Sequence, residues 1–186
     1  CGSTAQVNYN IPDDNSSIAL KENSIAVHPL YPNILLSANN FDTDEILSAR
    51  ISAYVSTNWG INWFSPFANG IFDDDSFSDP VADIDIDGKL YVVYLSWNNG
   101  IKIACSTNLG INWIIQSIPG SIGGDKDYFH VDKSCNSPFK GRIYAGWNVG
   151  ANPMKISFSS NGGNNWSTPA SFSLSGYNHG LNITTD

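Results

Sequence analysis

The sequence predicts an all-β chain of four-stranded antiparallel blades arranged as a β-propeller, and three observations carry that prediction. An eight-residue pattern recurs three times at intervals near fifty residues. A strand–turn–strand pattern recurs upstream of each copy. No long stretch of the 186 residues sets apolar residues at i, i+3, i+4 and i+7, whereas short alternating apolar runs are frequent.

The eight-residue pattern reads Ser-x-Asn-x-Gly-x-x-Trp. Its copies are Ser56-Thr57-Asn58-Trp59-Gly60-Ile61-Asn62-Trp63, Ser106-Thr107-Asn108-Leu109-Gly110-Ile111-Asn112-Trp113 and Ser159-Ser160-Asn161-Gly162-Gly163-Asn164-Asn165-Trp166. They start 50 and 53 residues apart, a period that suits a four-stranded blade. Each follows an alternating segment (Ile51–Val55, Lys102–Cys105, Lys155–Phe158) and precedes another apolar run, so each is expected to be a hairpin turn between two strands. Asn supplies a side-chain acceptor for backbone amides two residues on, Gly allows a positive φ, and Trp packs the turn onto its blade.

The upstream repeat comprises Ser24–His28 with Ile34–Ser37, Val81–Asp85 with Lys89–Tyr94, and Tyr128–Asp132 with Arg142–Trp147. A further copy begins at Gly180-Leu181-Asn182-Ile183-Thr184, so the chain is expected to stop inside a hairpin and to be part of something longer. The expected division is an N-terminal extension or closing strand over 1–20, blades over 21–70, 71–120 and 121–176, and the first strand of another blade over 177–186. Three blades do not close a disc. The flanks of the outer two are expected to pack on further blades or on a partner protein.

Composition narrows the partners. The formal net charge is −8, with 9 Lys and Arg thinly spread, so the basic stripe that neutralises phosphates is absent and nucleic acid is not expected. No apolar run approaches the roughly 20 residues that span a bilayer. A start of Cys1-Gly2-Ser3 resembles a processed bacterial lipoprotein whose Cys carries a lipid anchor; a sequence boundary at that point is the plain alternative. Cys1, Cys105 and Cys135 cannot all pair with one another, and Cys105 reads as a small buried hydrophobe in a strand.

The three boxes resemble the Asp-box, or bacterial neuraminidase repeat, of sialidase-like β-propellers. The segments Asn23–Pro29, Ser78–Val81, Asp125–Asp127 and Ser137–Tyr144 resemble secreted bacterial members of that group. The resemblance implies a propeller of six blades when complete and an extracellular or cell-surface location. Two departures bear on activity. Asn58, Asn108 and Asn161 stand where the family prefers Asp, which keeps the turn-forming acceptor. Active sialidases carry an Arg-Ile-Pro motif and three arginines that clamp the substrate carboxylate; this chain has only Arg50 and Arg142, neither followed by Ile-Pro, and lysine does not reproduce a planar bidentate clamp. The expected function is therefore a module binding glycan or protein, or part of a larger extracellular assembly, non-catalytic as it stands. The alternative is an exo-sialidase-like glycoside hydrolase whose catalytic residues lie mostly outside this segment.

Strand order places the chemistry. With four strands A to D from the axis outward, the A–B and C–D turns share one face, and the loops entering A and joining B to C share the other. The boxes are C–D turns and read as scaffold. The opposite mouth collects ligand-binding candidates Trp97, Asn98, Trp147, Asn148, Asp127 and His179, since aromatic faces beside amides and carboxylates suit sugars. The same residues would equally cap the blade core and satisfy loop backbone. Asp79 and Asp125 are the carboxylates positioned for acid–base work. No cofactor is expected. For a structural Ca²⁺ the candidates are Asp73, Asp75 and Asp79, with a solvated acidic loop as the plainer reading. Asp83-Ile84-Asp85-Ile86-Asp87-Gly88 resembles the start of a calcium loop, but position 12 is Tyr94 rather than Glu, and a strand followed by a tight turn explains it better.

Overall fold

A computed structural model describes residues 18–43, 50–65, 77–150, 152–173 and 182–185. Eleven strands form three antiparallel sheets among these residues. The first holds β1 (Ile18–Val27), β2 (Leu35–Thr43) and β3 (Arg50–Ser56), with a bridge from Val55 to Phe64 continuing it beyond the first box. The second holds β4 (Phe77–Ile84), β5 (Leu90–Ser96), β6 (Gly100–Ser106) and β7 (Ile114–Ser117). The third holds β8 (Gly124–Val131), β9 (Ile143–Val149), β10 (Met154–Ser159) and β11 (Ala170–Phe172). Each is a meander in chain order, as expected for blades of a propeller.

The first strand of each sheet is innermost, for β1 lies against β4 and β4 against β8. Side chains lock these strands to their neighbours: Ala82 N–H donates to Ser24 Oγ at 2.9 Å, and Val131 N–H donates to Asp83 Oδ2 at 3.0 Å. Asp83 is buried and also forms an ion pair with Lys133.

The cores lie between sheets rather than within them. Leu36, Ile51 and Val55 of the first sheet meet Ile84, Leu90 and Tyr94 of the second. Tyr91, Ile101 and Ile103 of the second meet Phe129, Val131 and Trp147 of the third. Because β5 serves both cores, its residues alternate between them and all seven are buried, which explains its nearly unbroken apolar run. The positions that bury Ala82, Ile84, Phe129 and Val131 in the later sheets are Ile25 and Val27 in β1, which are 62% and 46% exposed. The first blade thus presents toward its open side the apolar contacts that the other two use to stack.

The three boxes are superimposable in their bonding. Ser56, Ser106 and Ser159 accept Gly N–H at 2.9, 2.9 and 3.0 Å. Trp63, Trp113 and Trp166 donate Nε1–H to the Gly carbonyl at 2.9, 2.8 and 3.0 Å. Trp113 packs on the first inter-sheet core and Trp166 on the second, so the second and third boxes each fasten their blade to the one before. One detail differs from expectation. The Asn oxygen reaches the amide four residues on (Asn62, Asn112, Asn165), while Ser Oγ takes the Gly amide two residues beyond the Asn.

The fourth box position is left-handed in the two boxes that lack glycine there, with φ 66° at Trp59 and 55° at Leu109; the third box has Gly162. Trp59 is 64% exposed, so burial does not offset the strain. Trp59→Gly is expected to raise the unfolding free energy by about 0.5–1 kcal/mol, a net of relieved strain over added chain entropy. Chemical denaturation measures it, and a loss of stability would contradict the strain.

Candidate functional site

The A–B turns are built from one repeated position. His28, Asp85 and Asp132 close their turns with backbone N–H bonds to Ile34 O, Lys89 O and Arg142 O. Their side chains then accept turn amides: His28 Nδ1 from Leu30 and Tyr31, Asp85 Oδ1 from Asp87 and Lys89, Asp132 Oδ1 from Ser134. Asp85 is thereby committed to its turn and Asp83 to the neighbouring blade, so the acidic run at 83–87 is turn and interface. Burial pushes the His28 pKa down, which suits its role as a neutral acceptor.

The opposite ends of the sheets form the mouth, and a second repeated device shapes it. Each innermost strand carries a bulge at the same register: between Lys21 and Ser24, between Ser78 and Val81, and between Asp125 and Tyr128. Glu22 and Asp79 occupy equivalent bulge positions, both with positive φ (52° and 54°). Such a bulge re-aims side chains at a sheet end. Here it brings two carboxylates onto adjacent innermost strands. Glu22 Oε2 accepts the Asp79 backbone N–H at 3.1 Å and also a hydrogen bond from Asn40 Nδ2. Ser78 Oγ donates to Asp79 Oδ2 at 3.2 Å.

The predicted site residues distribute as follows. Asp79 lies in the bulge of β4 and Asp125 beside the bulge of β8, opposite Asn148. Asp127 is a buried bulge residue, and Asn148 is fully buried. Trp97 begins the tight turn from β5 to β6 and is 70% exposed, with Asn98 exposed next to it. Trp147 is different: it is fully buried in the second core, paired across the ladder with Lys155. It therefore corresponds to Tyr94 (paired with Lys102) and Asn39 (paired with Ser52), and offers no stacking face. Trp97 lies three positions further along. The shared Trp-Asn dipeptide is a coincidence of sequence rather than a repeated feature. Trp147 is the core cap of the alternative reading.

His179, Asp73 and Asp75 lie outside the described residues. Among the described residues, no three His, Cys, Asp or Glu side chains are gathered as metal ligands. Glu22 is the mouth residue that sequence reasoning passed over. Its signal was Pro80: a proline within a strand pattern marks a bulge, and the repeat transfers that bulge to β1.

Two further groups border the mouth wall or its reverse. His130 Nε2 lies 3.1 Å from Thr185 Oγ1, and its Nδ1 lies 3.6 Å from Asp83 Oδ2. Burial lowers its pKa against the opposing pull of Asp83. Arg142 stacks on Phe139 and Phe158 at 4.0 and 4.6 Å, at the box face and away from the mouth. With Arg50 at the start of β3, the chain's two arginines do not converge.

No protein-family model matches the chain, and no curated protein matches it in sequence. Solved structures share the fold. A GH62 hydrolase in complex with xylotriose is 11% identical over 88% of this chain and 54% of its own, with a TM-score of 0.55. A family 117 glycoside hydrolase of the marine bacterium Zobellia galactanivorans is 14% identical over 84% and 47%, with a TM-score of 0.55. A Hadza microbial sialidase is 10% identical over 81% and 33%, with a TM-score of 0.55. The chain thus spans about half or less of each structure. It is an all-β chain of stacked antiparallel blades, the open sheets of a partial propeller.

Proposed function

We propose that this chain is a carbohydrate-binding propeller module of a secreted or cell-surface protein, non-catalytic as it stands, with its ligand at the mouth. The observation that carries the reading is the repeated bulge, which sets Glu22 and Asp79 side by side on the axial wall. Carboxylates accept sugar hydroxyls, and the exposed Trp97 ring supplies an apolar face for C–H groups. The fold's occurrence in glycoside hydrolases supports the sugar theme. In the assembled protein, further blades or a partner protein cover the open flank at Ile25 and Val27.

The acid pair also favours a second reading, a glycoside hydrolase in which Glu22, Asp79 or Asp125 serves as an acid–base group. Sialic acid is the less suited substrate, because the two arginines do not converge. Calorimetric titration with xylotriose, a mannobiose and sialyllactose, beside an assay on aryl glycosides, separates the readings. Binding module predicts saccharide binding without turnover, weakened tenfold or more by Trp97→Ala and by Glu22→Gln, about 1.4 kcal/mol per tenfold. Turnover abolished by Glu22→Gln establishes the hydrolase. Binding unchanged in both variants removes the mouth as the site.

A further inference from the structure

A second concavity lies away from the mouth, at the outer edge between the second and third blades. It is a cleft of about 500 Å³ lined by Gln116 and Ser117 of β7, Pro119 beyond it, and Gly163, Asn164, Asn165 and Trp166 of the third box. That volume falls within the range of small-ligand sites, about 300–1,000 Å³. None of the lining residues is ionisable.

The internal repeat shows what a box needs when it serves as scaffold alone. Its sixth position is Ile61 in the first box and Ile111 in the second, but Asn164 in the third. Its fourth is Trp59, then Leu109, then Gly162. The scaffold bonds are the same in all three, so the changes are not required by the turn. The change at the sixth position places an amide, where the other boxes have an apolar side chain, in the lining of this cleft. The site is also rigidly held. Asn164 Nδ2 donates to Asn161 O at 3.0 Å, which leaves its carbonyl oxygen as an acceptor. Trp166 Nε1–H is committed to Gly163 O, which fixes the ring. Amides from two elements, a hydroxyl and the edge of an indole, without charge, suit a ligand with many hydroxyls and no charge.

We propose that this cleft binds a neutral oligosaccharide as a site separate from the mouth. Gln116 and Asn164 are its hydrogen-bonding groups and Trp166 its apolar wall. An acidic sugar gains nothing there, since no cation lines the cleft.

The test uses the 186-residue chain and two-dimensional amide and indole NMR, titrated with xylotriose, a β-1,2-mannobiose and sialyllactose. The informative variant is Asn164→Ile, which restores the residue that the other two boxes carry and so keeps the turn. The expected result is saturable shifts of the Trp166 indole and of the Gln116 and Asn164 side-chain amides with a neutral probe. Asn164→Ile and Gln116→Ala should each weaken that binding at least fivefold while melting within a few degrees of the parent. Trp97→Ala should leave it unchanged, which separates this site from the mouth. The proposal is overturned if neither neutral probe shifts these signals, if Asn164→Ile binds as the parent does, if sialyllactose binds the cleft equally well, or if Trp97→Ala alone abolishes the shifts.

Discussion

Replacing Asp83 by alanine is expected to lower the unfolding free energy by about 3 kcal/mol, one of the two largest single-residue effects predicted for this chain. Asp83 is buried on the innermost strand β4, where its carboxylate accepts the Val131 N–H of the next blade, accepts its own neighbour's amide at Ile84, and pairs with Lys133. Breaking a buried ion pair by deleting one partner typically costs 3–5 kcal/mol. The Lys133 side chain keeps 29% exposure and can turn partly to water, which discounts the electrostatic share. The orphaned Val131 amide adds to the destabilisation, since a buried donor without a partner costs about 1–3 kcal/mol. For a chain of this length the melting point should fall by roughly 6–12 °C, at about 2–4 °C per kcal/mol. Lys133→Met in the Asp83→Ala background should cost less than Lys133→Met alone, because the pair is already gone. Thermal melts of the parent, the two single variants and the double variant measure the coupling. A fall of less than 2 °C for Asp83→Ala would mean that Asp83 does not tie the blades together.

That bond illustrates how much was legible in the sequence. The blade period, the boxes and the hairpins could be read because each is local: a few residues fix their own backbone, and repetition confirms it. The Asp83–Asp87 segment was legible as a turn for the same reason, with Asp85 and Gly88 carrying turn chemistry. That Asp83 itself crosses to another blade was not legible, because its partner Val131 is 48 residues away and strand alternation does not specify what faces a side chain. Trp147 was misplaced for a different reason. Matching Trp97-Asn98 to Trp147-Asn148 used residue identity, whereas equivalence is set by ladder register, in which Trp147 pairs with Lys155 as Tyr94 does with Lys102. A three-residue offset separates an exposed ring from a buried core cap. Glu22 stayed hidden because β1 itself carries no proline: the bulge signal lies at Pro80 of the next blade and reaches Glu22 only when the innermost strands are aligned by ladder register.

The bulges also explain why the mouth and the box face have different characters. On the box face the repeated side chains are consumed by their own backbone: Ser and Asn by box amides, His28, Asp85 and Asp132 by turn amides. At the mouth the bulge breaks the ladder, and the Glu22 carboxylate accepts the Asp79 backbone N–H of the next blade. The two ends of the same strands thus differ: the turn and box side chains above bond their own backbone, whereas the Glu22 side chain at the mouth bonds the next blade.

The loop that enters the third blade supplies the second large effect. Gly100 opens β6 with φ 74°, and the segment that leads from β7 into β8 passes directly over it. A Cβ at Gly100 would lie 2.6 Å from Ser121 Oγ, 2.7 Å from the Ser121 carbonyl carbon and 2.8 Å from Ile122 N. Two of these atoms are backbone and cannot rotate away. Ser121 is itself pinned, accepting Ile101 N–H at 2.8 Å and donating to Ile118 O at 2.6 Å. Gly100→Ala therefore carries a left-handed backbone penalty of about 1–2 kcal/mol and an overpacking penalty of about 1–3 kcal/mol. The expected total is about 3 kcal/mol, a fall in melting point of roughly 6–12 °C. Gly141→Ala is the control, for Gly141 has φ 76° and nothing within 4 Å of its added Cβ. It should lose only the backbone share. The difference between the two melts isolates the close approach of the linker, and equal losses would show that the linker does not press on β6. Because the turn at Trp97–Asn99 leads directly into Gly100, displacing the linker should also shift the exposed indole of Trp97. A change in its fluorescence in Gly100→Ala, absent in Gly141→Ala, would connect blade stacking to the geometry of the mouth.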